Sequence, residues 1–153
     1  MKASILIPAF NAGNTLQATL ESCVEQGARV VEEIIVVDDH STDDTRDVFE
    51  AFQRNHPDFN LLWATNPKKG ACSARNHALS LSRGPFIQWL DADDLLGRDK
   101  IETQLNALDG AGRSLATCPF RPFNGDPSTG LISDPRDWQL KAEWTAGTSF
   151  VPV

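Results

Sequence analysis

A chain of 153 residues has room for one domain with one sizeable core. Its 41% hydrophobic and 23% charged residues are ordinary for a globular protein, and a formal net charge of -7 argues against nucleic acid or an anionic membrane as the main partner. Any phosphate ligand must therefore be met locally, by a metal, a few basic groups or backbone amides.

Ser4-Ile5-Leu6-Ile7-Pro8 opens the chain as a short apolar run that reads as a buried strand ended by Pro8. A turn follows, and Leu16, Leu20, Cys23 and Val24 then fall at helical spacing, with Gly27 as the stop. Glu33 to Val37 is a second apolar strand, ending in Asp38-Asp39. Ser41-Thr42-Asp43-Asp44 resembles a capping box, and Thr45, Val48, Phe49 and Phe52 make one face of the next helix. Phe59 to Ala64 is a third strand. Asn66-Pro67-Lys68-Lys69-Gly70 is a loop whose two lysines read as solvated charges. Ala71, Ala74, Ala78 and Leu81 line a helix small enough on one face to pack closely on a sheet. Gly84-Pro85 precedes the strand Phe86 to Leu90, and Ile101, Leu105 and Leu108 mark a fourth helix. Strand and helix alternate four times, which predicts an α/β fold with a mostly parallel sheet covered by helices on both faces. Ser114 to Phe120 is a fifth strand candidate. Beyond it the chain is rich in Pro and Gly, with a short helix expected near Trp138 and Trp144.

Two strands end in acids. Asp91, Asp93 and Asp94 put three carboxylates within four residues, directly after an apolar run. A buried strand has no use for such charge at its tip, whereas Mg²⁺ or Mn²⁺ prefers carboxylate oxygens and leaves coordination positions for phosphate. The plain alternative is a set of solvated loop aspartates before a helix. No G-x-G-x-x-G follows the first strand and no Walker-type G-x-x-x-x-G-K-[ST] occurs, so neither phosphate cradle is expected. The first strand leads instead to Pro8-Ala9-Phe10-Asn11. An aromatic at a strand end can stack on a base, and a carboxylate at the neighbouring strand end can accept the imide N–H of uracil. Phe10 as a plain core aromatic and Arg75 as a surface ion-pairing residue are the structural alternatives. Cys23, Cys72 and Cys118 are odd in number and match no zinc spacing. No apolar run approaches the roughly 18 residues that span a bilayer. Pro8 and Asn11 cut the first run too short for a signal peptide. The expected location is the cytoplasm, including the inner face of its membrane.

Four segments together resemble the nucleotide-binding half of a glycosyltransferase family 2 enzyme, of the GT-A fold. They are Ile5 to Ala12, Ile34 to Asp43, Gly70 to Asn76 and Leu90 to Asp94, in the family's order over roughly residues 2 to 110. The resemblance implies one domain over 1–153, with 1–112 the nucleotide-binding half and 113–153 the start of an incomplete acceptor-side region. It implies transfer of a sugar from a nucleotide-diphospho-sugar, a UDP-sugar first of all, to a hydroxyl of a saccharide or other acceptor, with Mn²⁺ or Mg²⁺. It assigns the nucleotide to Pro8, Ala9, Phe10, Asn11, Asp38, Asp39, Arg75, Asp91 and Ala92, with Phe10 and either Asp38 or Asp39 at the uracil. Asp91 and Asp93 form the D-x-D motif, Asp93 touching the metal and Asp91 nearer the ribose. The family usually writes Gly where His40 stands. The family's general base lies on a Glu-Asp-type segment further downstream. Asp134, Asp137 and Glu143 do not match that context, so the catalytic base is expected to be missing from this stretch.

Two readings from other classes stand beside this one. A nucleotide-sugar-binding module without catalysis needs no base. A phospho-accepting receiver-like domain also places paired acids at strand ends, but after its first strand, where this chain has Pro8-Ala9-Phe10.

Overall fold

A computed structural model describes residues 1–109 together with Leu115, Ala116, Phe123, Asp126 and Ser128. The chain divides after Gly112, and all of its regular elements lie in Met1–Gly112 among the described residues. The element order is β1 (Ala3–Ala9), α1 (Leu16–Val24), β2 (Val31–Asp38), α2 (Thr45–Asn55), β3 (Leu61–Thr65), α3 (Ala71–Leu81), β4 (Phe86–Trp89) and α4 (Lys100–Leu108). The strands form one sheet in the order β3-β2-β1-β4, and every pairing is parallel. A receiver-type sheet follows the order 2-1-3-4-5, so the receiver-like reading fails on topology.

Alternation along the strands makes two cores. Ile5 and Ile7 of β1 and Ile34 and Val36 of β2 face Leu16 and Leu20 of α1, Phe49 and Phe52 of α2, and Ile101 and Leu105 of α4. Leu6, Ile35 and Val37 face Ala74 and Ala78 of α3. The second core is thin because α3 offers alanines there, which lets the helix lie close to β1 and β2. Both β1 and β2 are buried on both faces, so they read as unbroken apolar runs rather than as alternation.

Several boundaries differ from the sequence expectation. Pro8 does not end β1: it pairs with Val37 and the strand continues to Ala9. The ladder to β4 reaches only Leu6, with Leu90 N donating to Leu6 O, so no partner awaits an N–H at Pro8 on that side. β3 starts two residues late because Phe59 N closes a turn onto His56 O. The capping box at Ser41 does not form. The helix begins at Thr45 without a side-chain cap, and the Ser41 hydroxyl instead accepts the Asn11 N–H at 2.8 Å. Gly27 has φ 88°, the left-handed turn expected after α1. Of the fifth expected strand, only Leu115 and Ala116 are among the described residues, and neither is in a strand. The expected helix near Trp138 and Trp144, the acids Asp134, Asp137 and Glu143, and Cys118 lie outside the described residues.

Candidate functional site

The chain reverses direction across the sheet at β1, with β2 on one side and β4 on the other. In open α/β sheets the crevice outside the carboxyl ends at such a switch point receives the ligand. Here that crevice is a cleft of about 340 Å³ lined by Pro8, Ala9, Phe10 and Asn11 after β1, Asp39 after β2, Ala71, Ala74 and Arg75 of α3, and Asp91, Ala92 and Asp93 after β4. Every residue expected at the nucleotide or the metal lines it except Asp38.

The two adjacent aspartates have separate tasks. Asp38 is buried and its carboxylate accepts the Ser41 N–H at 3.1 Å, holding the turn after β2. Asp39 points the other way, into the cleft. Its oxygens accept Gly70 N–H at 2.8 and 2.9 Å and Asn66 Nδ2 at 2.6 Å. The Gly70 N–H most of all, against the opposing effect of burial, holds the Asp39 carboxyl below its usual range, helped by Asn66 and by the charges of His40 and Lys69. Asp39 therefore ties β2 to the start of α3 and stays ionised at the cleft.

Phe10 is 53% exposed, which rules out the core-aromatic alternative. Its ring stands in the cleft wall, with the Lys69 ammonium 5.5 Å from the centroid. The loop carrying Phe10 is clasped to the loop after β2. Asn11, in the left-handed region at φ 49°, accepts the Thr42 N–H at 2.8 Å through Oδ1. Ala12 N donates to Thr45 Oγ1 at 2.8 Å, and Gly13 N to Asp43 at 2.9 Å. The side-chain carbonyl of Asn11 is thus spent on the clasp, and its part in the site is to fix the backbone under Phe10.

Asp91, Asp93 and Asp94 form the turn after β4. Arg75 Nη2 lies 2.6 Å from Asp91 Oδ1, so this arginine meets the acid cluster rather than solvent alone. Asp93 has no hydrogen-bond or ion-pair partner among the described residues. Burial first, then the charges of Asp93 and Asp91, pushes the Asp94 carboxyl up. Asp94 does not line the cleft. Among the described residues no group of three or more His, Cys, Asp or Glu side chains is arranged to hold a metal. Two carboxylates on one cleft, crowded by a third, still suit a hard cation that completes its shell with phosphate oxygens and water.

Four positioning residues escaped the sequence reading. Thr19, fully buried on α1, donates its hydroxyl to Ala92 O at 2.9 Å. Ser22 accepts Leu96 N–H at 3.0 Å, and the two together moor the acidic turn on α1. Asn66, also fully buried, holds Asp39 and Ser73. Thr45 receives the Ala12 amide. The available signal was polar residues on buried helix faces, as Thr19 and Ser22 stand between Leu16, Leu20 and Cys23. Their partners lie some 70 residues away, at |i−j| of 73 and 74.

Comparison with known proteins agrees with this geometry. The model of Glycosyl transferase family 2 matches residues 4–144. The chain is 38% identical over 106 residues to the Escherichia coli UDP-Glc:alpha-D-GlcNAc-diphosphoundecaprenol beta-1,3-glucosyltransferase WfaP, covering 69% of this chain and 41% of that protein. It is 35% identical over 137 residues to an Escherichia coli chondroitin synthase, covering 90% of this chain and 19% of the synthase. The chain thus spans less than half the length of these relatives. Among solved structures, Staphylococcus aureus TarS 1-349 in complex with UDP superposes with a TM-score of 0.64 at 26% identity, over 76% of this chain and 38% of that one. The mannosyltransferase PcManGT from Pyrobaculum calidifontis, in complex with GDP-Man and Mn²⁺, gives 0.65 at 27% identity, over 70% of this chain and 32% of that one. The fold is of the GT-A type, and the chain belongs to glycosyl transferase family 2.

Proposed function

We propose that Met1–Gly112 is the donor-binding half of a metal-dependent glycosyltransferase acting on a nucleoside diphosphate sugar, uridine diphosphate first. The observation that carries this is the gathering of Phe10, Asp39, Arg75, Asp91 and Asp93 on one cleft at the switch point of the sheet. The base stacks on the exposed Phe10 ring, and its ring N–H faces the ionised Asp39. Pro8, Ala9 and Asn11 supply the backbone floor, and Asp38 acts from behind by holding the turn. Asp91 and Ala92 border the ribose, with Arg75 holding Asp91 in place and standing ready for the phosphates. Asp93, and Asp91 beside it, would hold Mn²⁺ or Mg²⁺. When bound, such a cation supplies Lewis-acid charge to the leaving diphosphate.

Residues 113–153 belong in this reading to the acceptor side, where a hydroxyl of a saccharide or other acceptor approaches. Positioning and charge stabilisation supply most of the donor half's contribution to transfer, while deprotonation of the acceptor needs a separate general base. Among the described residues no helix is long and apolar enough to cross a membrane. Among the described residues Cys23 and Cys72 are free thiols.

Calorimetry tests the metal assignment. Asp93→Asn keeps the size of the side chain and removes its charge, so the affinity for UDP in the presence of Mn²⁺ should fall by about tenfold or more, on the scale of a lost charge-assisted contact. Parent-like binding by Asp93→Asn would remove Asp93 from the metal site.

A further inference from the structure

The loop between β3 and α3 carries two adjacent lysines, and the ammonium of Lys69 lies over the ring of Phe10 in the cleft wall. The loop backbone is held firmly for a surface loop. Asn66, fully buried, donates to Gly70 O at 3.3 Å and to Asp39 at 2.6 Å, and Gly70 N–H is gripped by both Asp39 oxygens. Gly70 itself sits at φ 129°, a conformation that favours glycine. Lys69 is therefore anchored one residue from the amide that grips the Asp39 carboxylate. Its ammonium lies 5.5 Å from the Phe10 ring centroid. After Gly70, Asn66 and His40, it also contributes to keeping Asp39 ionised. A base that stacks on Phe10 and meets Asp39 edge-on comes within reach of this ammonium.

We infer that Lys69 reads the base of the donor nucleotide: its ammonium donates to the carbonyl oxygen beside the ring N–H that Asp39 accepts, so that Lys69 and Asp39 together select a base carrying an N–H next to a C=O. This rests on the donor-site reading of the cleft. The chemistry of the two groups makes the choice one-sided. An ammonium has three donors and no acceptor, and an ionised carboxylate only accepts. Three hydrogen bonds already reach Asp39, two of them from one N–H shared between its oxygens, and a carboxylate has about four lone-pair sites, so one more donor can be taken. Uracil and guanine each present an N–H flanked by a carbonyl oxygen. At the position of uracil O4 cytosine carries an amino group beside its acceptor N3, and adenine carries one beside N1, which sets lone pair against carboxylate and N–H against ammonium; cytosine keeps the carbonyl on the other side of N3, so it is the O4 side that Lys69 reads. The contact of Lys69 with an exposed ring is weak enough to give way to a hydrogen bond.

UDP and CDP share the diphosphate and differ at this edge, so titration calorimetry of the full chain with each, in Mn²⁺, separates base from phosphate. Lys69→Met keeps the length and removes the charge. It should weaken UDP by about tenfold, the scale of a hydrogen bond to a charged group, and CDP by no more than about twofold, so that the preference for UDP narrows by about fivefold or more while the part owed to Asp39 remains. Lys69→Arg should keep most of that preference, and Lys68→Met should bind both nucleotides like the parent. Equal losses on UDP and CDP would place Lys69 on the diphosphate and overturn the inference. So would a Lys69→Met variant with the parent's affinities, with the donor site left standing. A parent that binds neither nucleotide would overturn the donor-site reading and this inference together.

Discussion

Asp39 shows how much of the site depends on one carboxylate. It joins β2, the Asn66 loop and the start of α3 through three hydrogen bonds, and it faces the cleft while doing so. The Gly70 N–H, the largest of the favourable influences, lowers its pKa below the ordinary value of 3.8. A carboxyl whose folded pKa is depressed stabilises the fold above its unfolded pKa and loses that contribution as pH falls through the folded value. Asp39→Asn should therefore melt below the parent near neutral pH. The gap should close as pH drops below 3.8, where the protonated parent carboxyl comes to resemble the amide. Thermal melts of both proteins from about pH 7 to about pH 2.5 check this, a range that spans the ordinary carboxylate values. A gap that stays constant over that range would show that the charge of Asp39 carries no stability. His40 is a smaller case: it holds φ 66°, a left-handed position that His tolerates better than most side chains.

At the scale of elements, the acid turn after β4 is positioned by α1 rather than by its own strand. β4 is four residues long and paired on one side only within the described sheet, so it cannot by itself fix the turn beyond Trp89. Thr19 and Ser22 do so, through Ala92 O and Leu96 N. Thr19→Val preserves shape but leaves the Ala92 carbonyl without its hydroxyl donor. Stability should fall by about 1–3 kcal/mol, the cost of an unsatisfied buried polar group. Nucleotide affinity in Mn²⁺ should fall as well, because Asp91 and Asp93 flank Ala92. Denaturant unfolding and calorimetry on the same sample measure both. A stability loss with unchanged Mn²⁺-dependent affinity would detach α1 from the site. The parallel clasp between the Phe10 loop and the loop after β2 explains why the Pro8-Ala9-Phe10-Asn11 and Asp38 to Asp43 segments go together: Asn11, Thr42, Asp43 and Thr45 bond across them.

For the whole molecule, the parts legible in the sequence were those with a local cause. Strands buried on both faces leave apolar runs, their carboxyl ends leave acids, and helices leave apolar residues at a 3.6 period; the four strands and four helices of the described residues are all legible that way. Asp38 and Asp39 could not be told apart, because neighbours in a turn differ by direction and not by composition. Ser41 looked like a cap because capping and tertiary hydrogen bonds use the same hydroxyl. Lys69 read as a solvated charge, which its exposure supports, yet its ammonium lies over Phe10. Thr19, Ser22 and Asn66 were missed because their partners are far away in sequence or belong to the cleft itself. The central claim is that this cleft binds a nucleoside diphosphate with the help of a divalent cation. The melting temperature of the chain with UDP and Mn²⁺, with UDP and a chelator, and with ADP and Mn²⁺ tests it most directly. A ligand at about 100 times its dissociation constant adds roughly 2.7 kcal/mol to the folded state, which for a domain of this size is a rise of about 5–10 °C. The account predicts that rise with UDP and Mn²⁺, a smaller one with UDP and chelator, and little with ADP; a folded sample showing no metal-dependent rise with any nucleoside diphosphate would contradict it.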